Sequence, residues 1–441
     1  MDPPAGVRPG LGFRAGRARH TQHVRTRLLS SENLLWLLPL LLLARLTVLV
    51  RQRAAEQSQT IDGSAGLQIV LVLAAFAALF VLTSPRRLAK MIARSSIAGL
   101  VGFYILGLLS ALWSPLPAFT AYRAFEYLSQ VLIIFAALSC SWSLEKAESR
   151  FLKITLLVVL LQIVGALKLS GWRVTSLGSY HSVTFGLSAG MGACYAFGEA
   201  FSRGGKKGRR FLLVGFFFSF FVFLSTSASS IVATAIAFFM LALLSRRLRL
   251  AVMALVATGL LFLVPSERLK SVMFPDKDDK MISSMSGRKA MWEGFFSLIE
   301  AKPFLGYGMS IGARYGGGSY NINSHNAFLA VLLSAGALGA GVVISTLAAL
   351  MVECYRNWAL HRSGALGCAA AMIMAFVNSN TIAFFGEDWC TPSHTFVCLW
   401  ALHALFVCRR PNSPTPPTRR HLTSGRRYTN GILPKVIRVQ S

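Results

Sequence analysis

Charge is scarce in this chain. Asp, Glu, Lys and Arg make up 14% of its 441 residues, where a soluble protein carries about a quarter. Acids are the scarcer sign, 17 against 45 Lys and Arg. That shortage, beside 54% apolar residues, excludes both a soluble globular enzyme and a disordered chain. Cysteine is sparse and unpatterned. Cys140, Cys194, Cys354, Cys368, Cys390, Cys398 and Cys408 form no CxxC and no His-rich metal spacing, so neither a zinc site nor a disulfide scaffold is expected. No internal repeat of fixed period is visible. The first apolar stretch contains Arg45 and lacks a small-residue cleavage site after it, so it is expected to be retained rather than removed as a signal.

Long apolar runs fill the rest of the chain, with a mean hydropathy of +0.55. Twelve stretches, near 33–50, 64–83, 95–114, 123–142, 151–168, 182–201, 211–225, 227–245, 248–264, 324–352, 364–385 and 390–408, approach the roughly 20 residues that cross a bilayer as helix. Their connections alternate in charge. One set holds the N-terminal arginines, Arg86, Arg87, Lys90 and Arg94, the run 202–210, Arg246 to Arg249 and the C-terminal tail. It totals 30 basic and 5 acidic residues; the opposite set totals 13 and 11. The positive-inside rule places the basic set and both termini in the cytoplasm. This distribution accounts for the net charge of +28 without nucleic acid. The expected fold class is all-α, a polytopic membrane bundle of about 12 transmembrane helices. Its divisions are a basic tail over 1–30, spans 1–9 over 31–264, a long outer loop over 265–323, spans 10–12 over 324–408 and a second basic tail over 409–441.

The outer loop carries the chemistry. Apolar residues at 291, 292, 295, 296, 298 and 299 fall at helical spacing after Ser286, an N-cap candidate. This predicts an amphipathic helix at the membrane interface, ended by Pro303. Phe304-Leu-Gly-Tyr-Gly308 reads as a glycine turn. Ser324-His-Asn326 stands at the mouth of span ten.

The run SGRKAMWEGFFSLIEAKPFLGYGMS, followed by NSHNAFLAVLLSAGALG, resembles the signature region of the O-antigen ligase and polysaccharide polymerase family. ALWSPLPAFTAYRAFEYL at 111–128 and LGSYHSVTFGLSAG at 177–190 resemble two further stretches of that family. The likeness runs from about 100 to 350. One departure stands before span eight, where family members often carry Ser-Arg or Ser-Lys and this chain has Ala228 and Ser229.

The resemblance implies a bacterial inner-membrane glycosyltransferase. Such an enzyme moves a glycan en bloc from undecaprenyl diphosphate to a sugar hydroxyl at the periplasmic face, without cofactor or metal. Implied partners are the lipid-linked glycan, membrane lipid and other polysaccharide export proteins. A polymerase of exopolysaccharide repeat units is the first expectation. The alternatives are an O-antigen ligase acting on lipid A core and a lipid-linked oligosaccharide flippase.

The residues suit that chemistry. A sugar hydroxyl is a weak nucleophile and benefits from a base, and His325 is an imidazole at the lipid–water boundary. Arg288 suits the diphosphate, since a guanidinium stays charged and binds phosphate through two parallel hydrogen bonds. Arg123, with Glu126 three residues on and on the same helix face, and Arg173, His181, Arg314, Tyr307 and Asn326 are substrate-binding candidates. Each has a plain structural reading as well: a capping His–Asn pair, a snorkelling Arg, an intrabundle ion pair. Lys153, Glu199, His394 and His403 are scattered singly and read as bundle residues satisfied by their neighbours.

Overall fold

The computed structural model of the protein describes residues 31–48, 63–141, 143–167, 182–225, 227–245, 288–315, 324–359, 364–385 and 389–408. These are helical, with no strand among the described residues. In chain order they form α1 (Ser31–Val48), α2 (Gly63–Leu82), α3 (Pro85–Ile92), α4 (Ile97–Leu109), α5 (Pro117–Ser139), α6 (Leu144–Leu167) and α7 (Ser182–Arg203). There follow α8 (Gly205–Leu224), α9 (Ala228–Leu244), α10 (Arg288–Ala301), α11 (Gly312–Tyr315), α12 (Ala327–Ala359), α13 (Ala365–Asn378) and α14 (Thr391–Cys408). Helices thus stand on eleven of the twelve apolar stretches. The ninth, 248–264, lies outside the described residues, as do 265–287 of the expected outer loop and both tails.

Among the described residues four helices, α2, α5, α12 and α14, are long and apolar enough to cross a membrane, and the bent pair α3–α4 makes up to five. The bend in that pair is 108°. Many large apolar side chains face outward. On α2, Val70 and Val81 are exposed, and on α8 so are Phe216, Phe217, Phe220 and Phe223. Water would penalise such a belt, whereas hydrocarbon does not. The protein is therefore a helical membrane protein.

Contacts sort the helix ends into two groups. At one, Lys146 meets Glu32 at 2.8 Å, Lys207 meets Glu145 at 2.8 Å, and Ser96 Oγ donates to Glu353 at 2.6 Å. This is the basic group of connections. At the other, Met309 N donates to Ser110 Oγ at 3.1 Å, Tyr127 pairs with Ser310 at 3.0 Å, and Ala327 N donates to Ser379 O at 2.9 Å. The candidate residues gather at this second end.

Span ten is not the uninterrupted helix that its hydropathy predicts. At 33 residues α12 would run about 50 Å at 1.5 Å per residue, beyond the ~30 Å hydrocarbon core. It breaks at Gly336 (φ 58°, ψ −156°), and the turn after α10 fills the break. Tyr307 N and Gly308 N donate to Leu333 O and Ser334 O at 2.8 and 2.9 Å. Ala337 N and Leu338 N donate to Pro303 O and Phe304 O at 2.7 and 3.2 Å. A straight helix would have joined 337 to 333 and 338 to 334. The inserted turn supplies both missing donors and both missing acceptors, so the break leaves none of these four backbone groups unpaired.

Glycine is required at the junction. A Cβ on Gly336 would stand 2.3 Å from the Phe304 carbonyl carbon, at a positive φ. Gly336→Ala is expected to cost about 2–4 kcal/mol, from left-handed strain plus overpacking. It would appear as a lower unfolding midpoint in detergent. An unchanged midpoint would mean that the turn can leave the break freely.

Candidate active site

The site is built on three pieces: the amphipathic helix α10, the broken helix α12 and the start of α5. Met291 and Phe295 of α10, Ala313 of α11 and Leu333 of α12 form one buried cluster, with Trp292, Leu298 and Ile299 packed on it. Five of the six apolar positions whose spacing predicts the amphipathic helix pack here, while Phe296 is exposed. Tyr307 clamps the far end of α10: its hydroxyl donates to Leu298 O at 3.2 Å, and Lys302 sits 4.7 Å from its ring. Tyr307 is buried.

Trp292 ties the helix that begins at Arg288 to the segment that carries His325. The Trp292 indole donates to Ser324 O at 2.9 Å. Arg288 lies four residues earlier on the same face, about 6 Å along the axis, and His325 follows Ser324. Arg288 is half-buried, and burial lowers its pKa from the ordinary guanidinium value. No carboxylate pairs with it among the described residues. A desolvated cation without a counter-charge is unfavourable by itself, and an arriving phosphate would relieve it.

His325 adopts φ 52°, a left-handed conformation uncommon outside glycine and asparagine. It sits immediately before the cap of α12. Asn326 Oδ1 accepts from Phe328 N and Leu329 N at 2.9 and 3.1 Å. With Ala327 N on Ser379 O and Ala330 N on Asn326 O, the first-turn amides are all taken. An anion at this helix end must therefore be held by side chains and not by backbone amides. Asn326→Ala is expected to cost about 1 kcal/mol of stability as a lost cap, read as a small drop in unfolding midpoint. Asn326→Ser, which keeps an acceptor, should restore most of it.

Arg314 and Arg123 flank a single ring, their guanidinium carbons 5.0 and 5.4 Å from the Phe119 centroid. Arg123 also donates to Glu126 at 3.0 Å, the i,i+3 pair expected from the sequence. Glu126 is buried and its other oxygen accepts from Arg45 of α1. Two guanidiniums, Arg45 and Arg123, thus share one carboxylate, with Arg314 on the far side of the Phe119 ring. Arg45 was not expected to be part of this group. Its isolation in an apolar run was the available signal, since an unpaired intramembrane cation needs a partner.

A hydroxyl-rich patch completes this end. Ser227, Ser229 and Ser230 interact at the start of α9, and Asn378 Nδ2 donates to Ser230 Oγ at 2.9 Å. Thr381 Oγ1 donates to Asn378 Oδ1 at 2.5 Å. Ser379, next in chain, accepts from Ala327, two residues after His325. Polar side chains at the mouth of a bundle suit sugar hydroxyls. Gly186 packs on the same patch, where a Cβ would stand 2.6 Å from Ser230 Cβ.

Arg173 and His181 lie outside the described residues, as do Glu387 and Asp388. Of the scattered groups, Glu199 is paired with Arg203 at 2.6 Å. His403 lies 3.8 Å from Glu353. His394 is buried, and neither ring nitrogen has a hydrogen-bond partner among the described residues, contrary to the expectation that its neighbours satisfy it.

Residues 213–344 match the O-antigen ligase family model. The match covers under a third of the chain and takes in α8 to α11 and the broken part of α12, including Arg288, Tyr307, Arg314, His325 and Asn326. Arg123 and Arg45 fall outside it. No curated protein matches the chain. The family match and the apolar helices support an O-antigen ligase or polymerase-type membrane glycosyltransferase acting on lipid-linked glycans.

Proposed function

We propose that the protein polymerises exopolysaccharide repeat units, transferring the growing glycan en bloc from undecaprenyl diphosphate to a sugar hydroxyl of the next lipid-linked unit. The observation that supports this reading is the Trp292–Ser324 hydrogen bond, which ties the helix of Arg288 to the segment of His325 at one end of the bundle. In the reaction His325 takes the acceptor hydroxyl proton as the oxygen attacks the anomeric carbon. The bond from that carbon to the diphosphate oxygen breaks, and its electron pair leaves with the diphosphate. Arg288, with Arg123 and Arg314, stabilises the charge on that leaving group. The polar patch at Ser229 binds acceptor hydroxyls, as do Arg173 and His181. No metal or other cofactor takes part.

The same reading places twelve spans in the bacterial inner membrane with both termini cytoplasmic, the basic end of the bundle inside and His325 facing the periplasm. The polyprenyl tail stays in the bilayer, so the cleft opens sideways to lipid.

The family model is described as an O-antigen ligase, which favours a second reading with lipid A core as acceptor. Acceptor supply separates the two. Proteoliposomes given only undecaprenyl-diphosphate repeat units should produce a glycan ladder. A mass increase on lipid A core, with no ladder in its absence, would establish the ligase instead.

A further inference from the structure

A cavity among the described residues lies at the basic end of α6, α7 and α8, and its lining does not include His325. It has a volume of about 390 Å³, within the ~300–1,000 Å³ of small-molecule sites. Its body is apolar, with Leu152, Leu156, Val214 and Phe218 as walls. Its rim is ionic, with Lys153, Arg203, Lys207 and Arg210 against Glu145 and Glu148.

The rim charges are unequally engaged. Arg203 is fully committed: it pairs with Glu148 and Glu199 and lies 4.9 Å from the Phe211 ring. Lys207 meets Glu145 at 2.8 Å, but both side chains are about 70% exposed (68% and 70%). Such a pair is worth little and exchanges readily. Lys153 and Arg210 are exposed and make no ion pair among the described residues. Two uncommitted cations therefore stand over an apolar hollow. Lys153 is the more telling of them, because it lies inside an otherwise apolar helical stretch. That combination matches an amphiphile with an anionic head and a hydrocarbon tail.

We propose that this cavity is a binding site for one anionic phospholipid of the leaflet at the basic end of the bundle. Its phosphate bridges Lys153 and Arg210, and an acyl chain enters between α6 and α8 past Phe217 and Val214. Basic pockets between membrane helices recognise lipid head groups in this manner. The site is independent of glycan transfer and survives if that reading fails.

The test uses the full chain in detergent micelles, with native mass spectrometry of lipid adducts during titration with phosphatidylglycerol or phosphatidylcholine. One phosphatidylglycerol is expected to be retained in preference to phosphatidylcholine. Lys153→Gln/Arg210→Gln should weaken that retention about thirtyfold, the effect of two cations near an anionic head group. Lys206→Gln/Arg209→Gln removes the same charge from the same basic run outside the cavity lining, and should leave retention unchanged. Val214→Trp fills the hollow without altering charge and should also abolish retention. Equal loss in both charge variants would reduce the effect to general surface attraction and overturn the proposal. Equal retention of the two lipids would overturn it as well, by making the hollow a nonspecific apolar gap. Displacement by soluble glycerol phosphate would overturn it in favour of a free phosphate ester.

Discussion

His325→Asn should lower the rate of glycan transfer by a factor of about 10²–10⁴, the usual contribution of a positioned general base. The unfolding midpoint should stay close to that of the wild type. Asn is the informative replacement because position 325 has φ 52°. Asparagine tolerates that conformation, whereas alanine would add backbone strain to the loss of the imidazole. The cap of α12 belongs to Asn326, and Ser324 keeps its bond to Trp292 through a backbone oxygen. The variant therefore removes the proton acceptor and spares the scaffold. The readout is the initial rate of product formation in proteoliposomes, beside a thermal scan of the same preparation. Wild-type turnover by the variant would take His325 out of the reaction.

Glu126→Gln should be the most destabilising single substitution in the cluster beneath Phe119, at about 3–5 kcal/mol. The Glu126 and Arg45 side chains are only 1% and 3% exposed. Removing the carboxylate's charge leaves a desolvated guanidinium with nothing to balance it. Arg123 is 24% exposed and suffers less. Arg45→Met paired with Glu126→Leu removes both buried charges and should recover much of the loss, as apolar replacement of buried ion pairs often does. Thermal unfolding of the three proteins in one detergent reads this directly. The double variant would still free Arg123 from the carboxylate that orients it, so its transfer rate should stay depressed after stability returns. A Glu126→Gln protein as stable as wild type would show that water reaches Arg45.

Much of the fold was legible from hydropathy alone, since helices stand where the apolar runs are. The i,i+3 spacing of Arg123 and Glu126 foretold their pair, and the apolar positions of 288–301 foretold which face of α10 packs. The break in α12 was not legible. The stretch Ser334-Ala-Gly-Ala-Leu-Gly339 reads as uninterrupted small and apolar residues. What selects Gly336 is a turn more than 25 residues earlier in the chain, whose backbone replaces the local hydrogen bonds. The partner of Arg45 was hidden for the same reason: Glu126 is 81 residues away. Helical spacing marks position 292 only as apolar, yet the Trp292 indole bonds the segment that carries His325. In each case the decisive contact is tertiary, while sequence periodicity reports local geometry.

The central claim is that this chain breaks the bond between a glycan and a polyprenyl diphosphate. The most direct measurement is the identity of the released lipid. Proteoliposomes containing the chain, supplied with undecaprenyl-diphosphate repeat units in the presence of EDTA, would be extracted and the lipid analysed by mass spectrometry. The expected result is free undecaprenyl diphosphate, one molecule for each new glycosidic bond, with His325→Asn releasing at least about 100-fold less. Donor recovered intact on the opposite side of the vesicle membrane, with no free diphosphate, would contradict the account and identify a transporter.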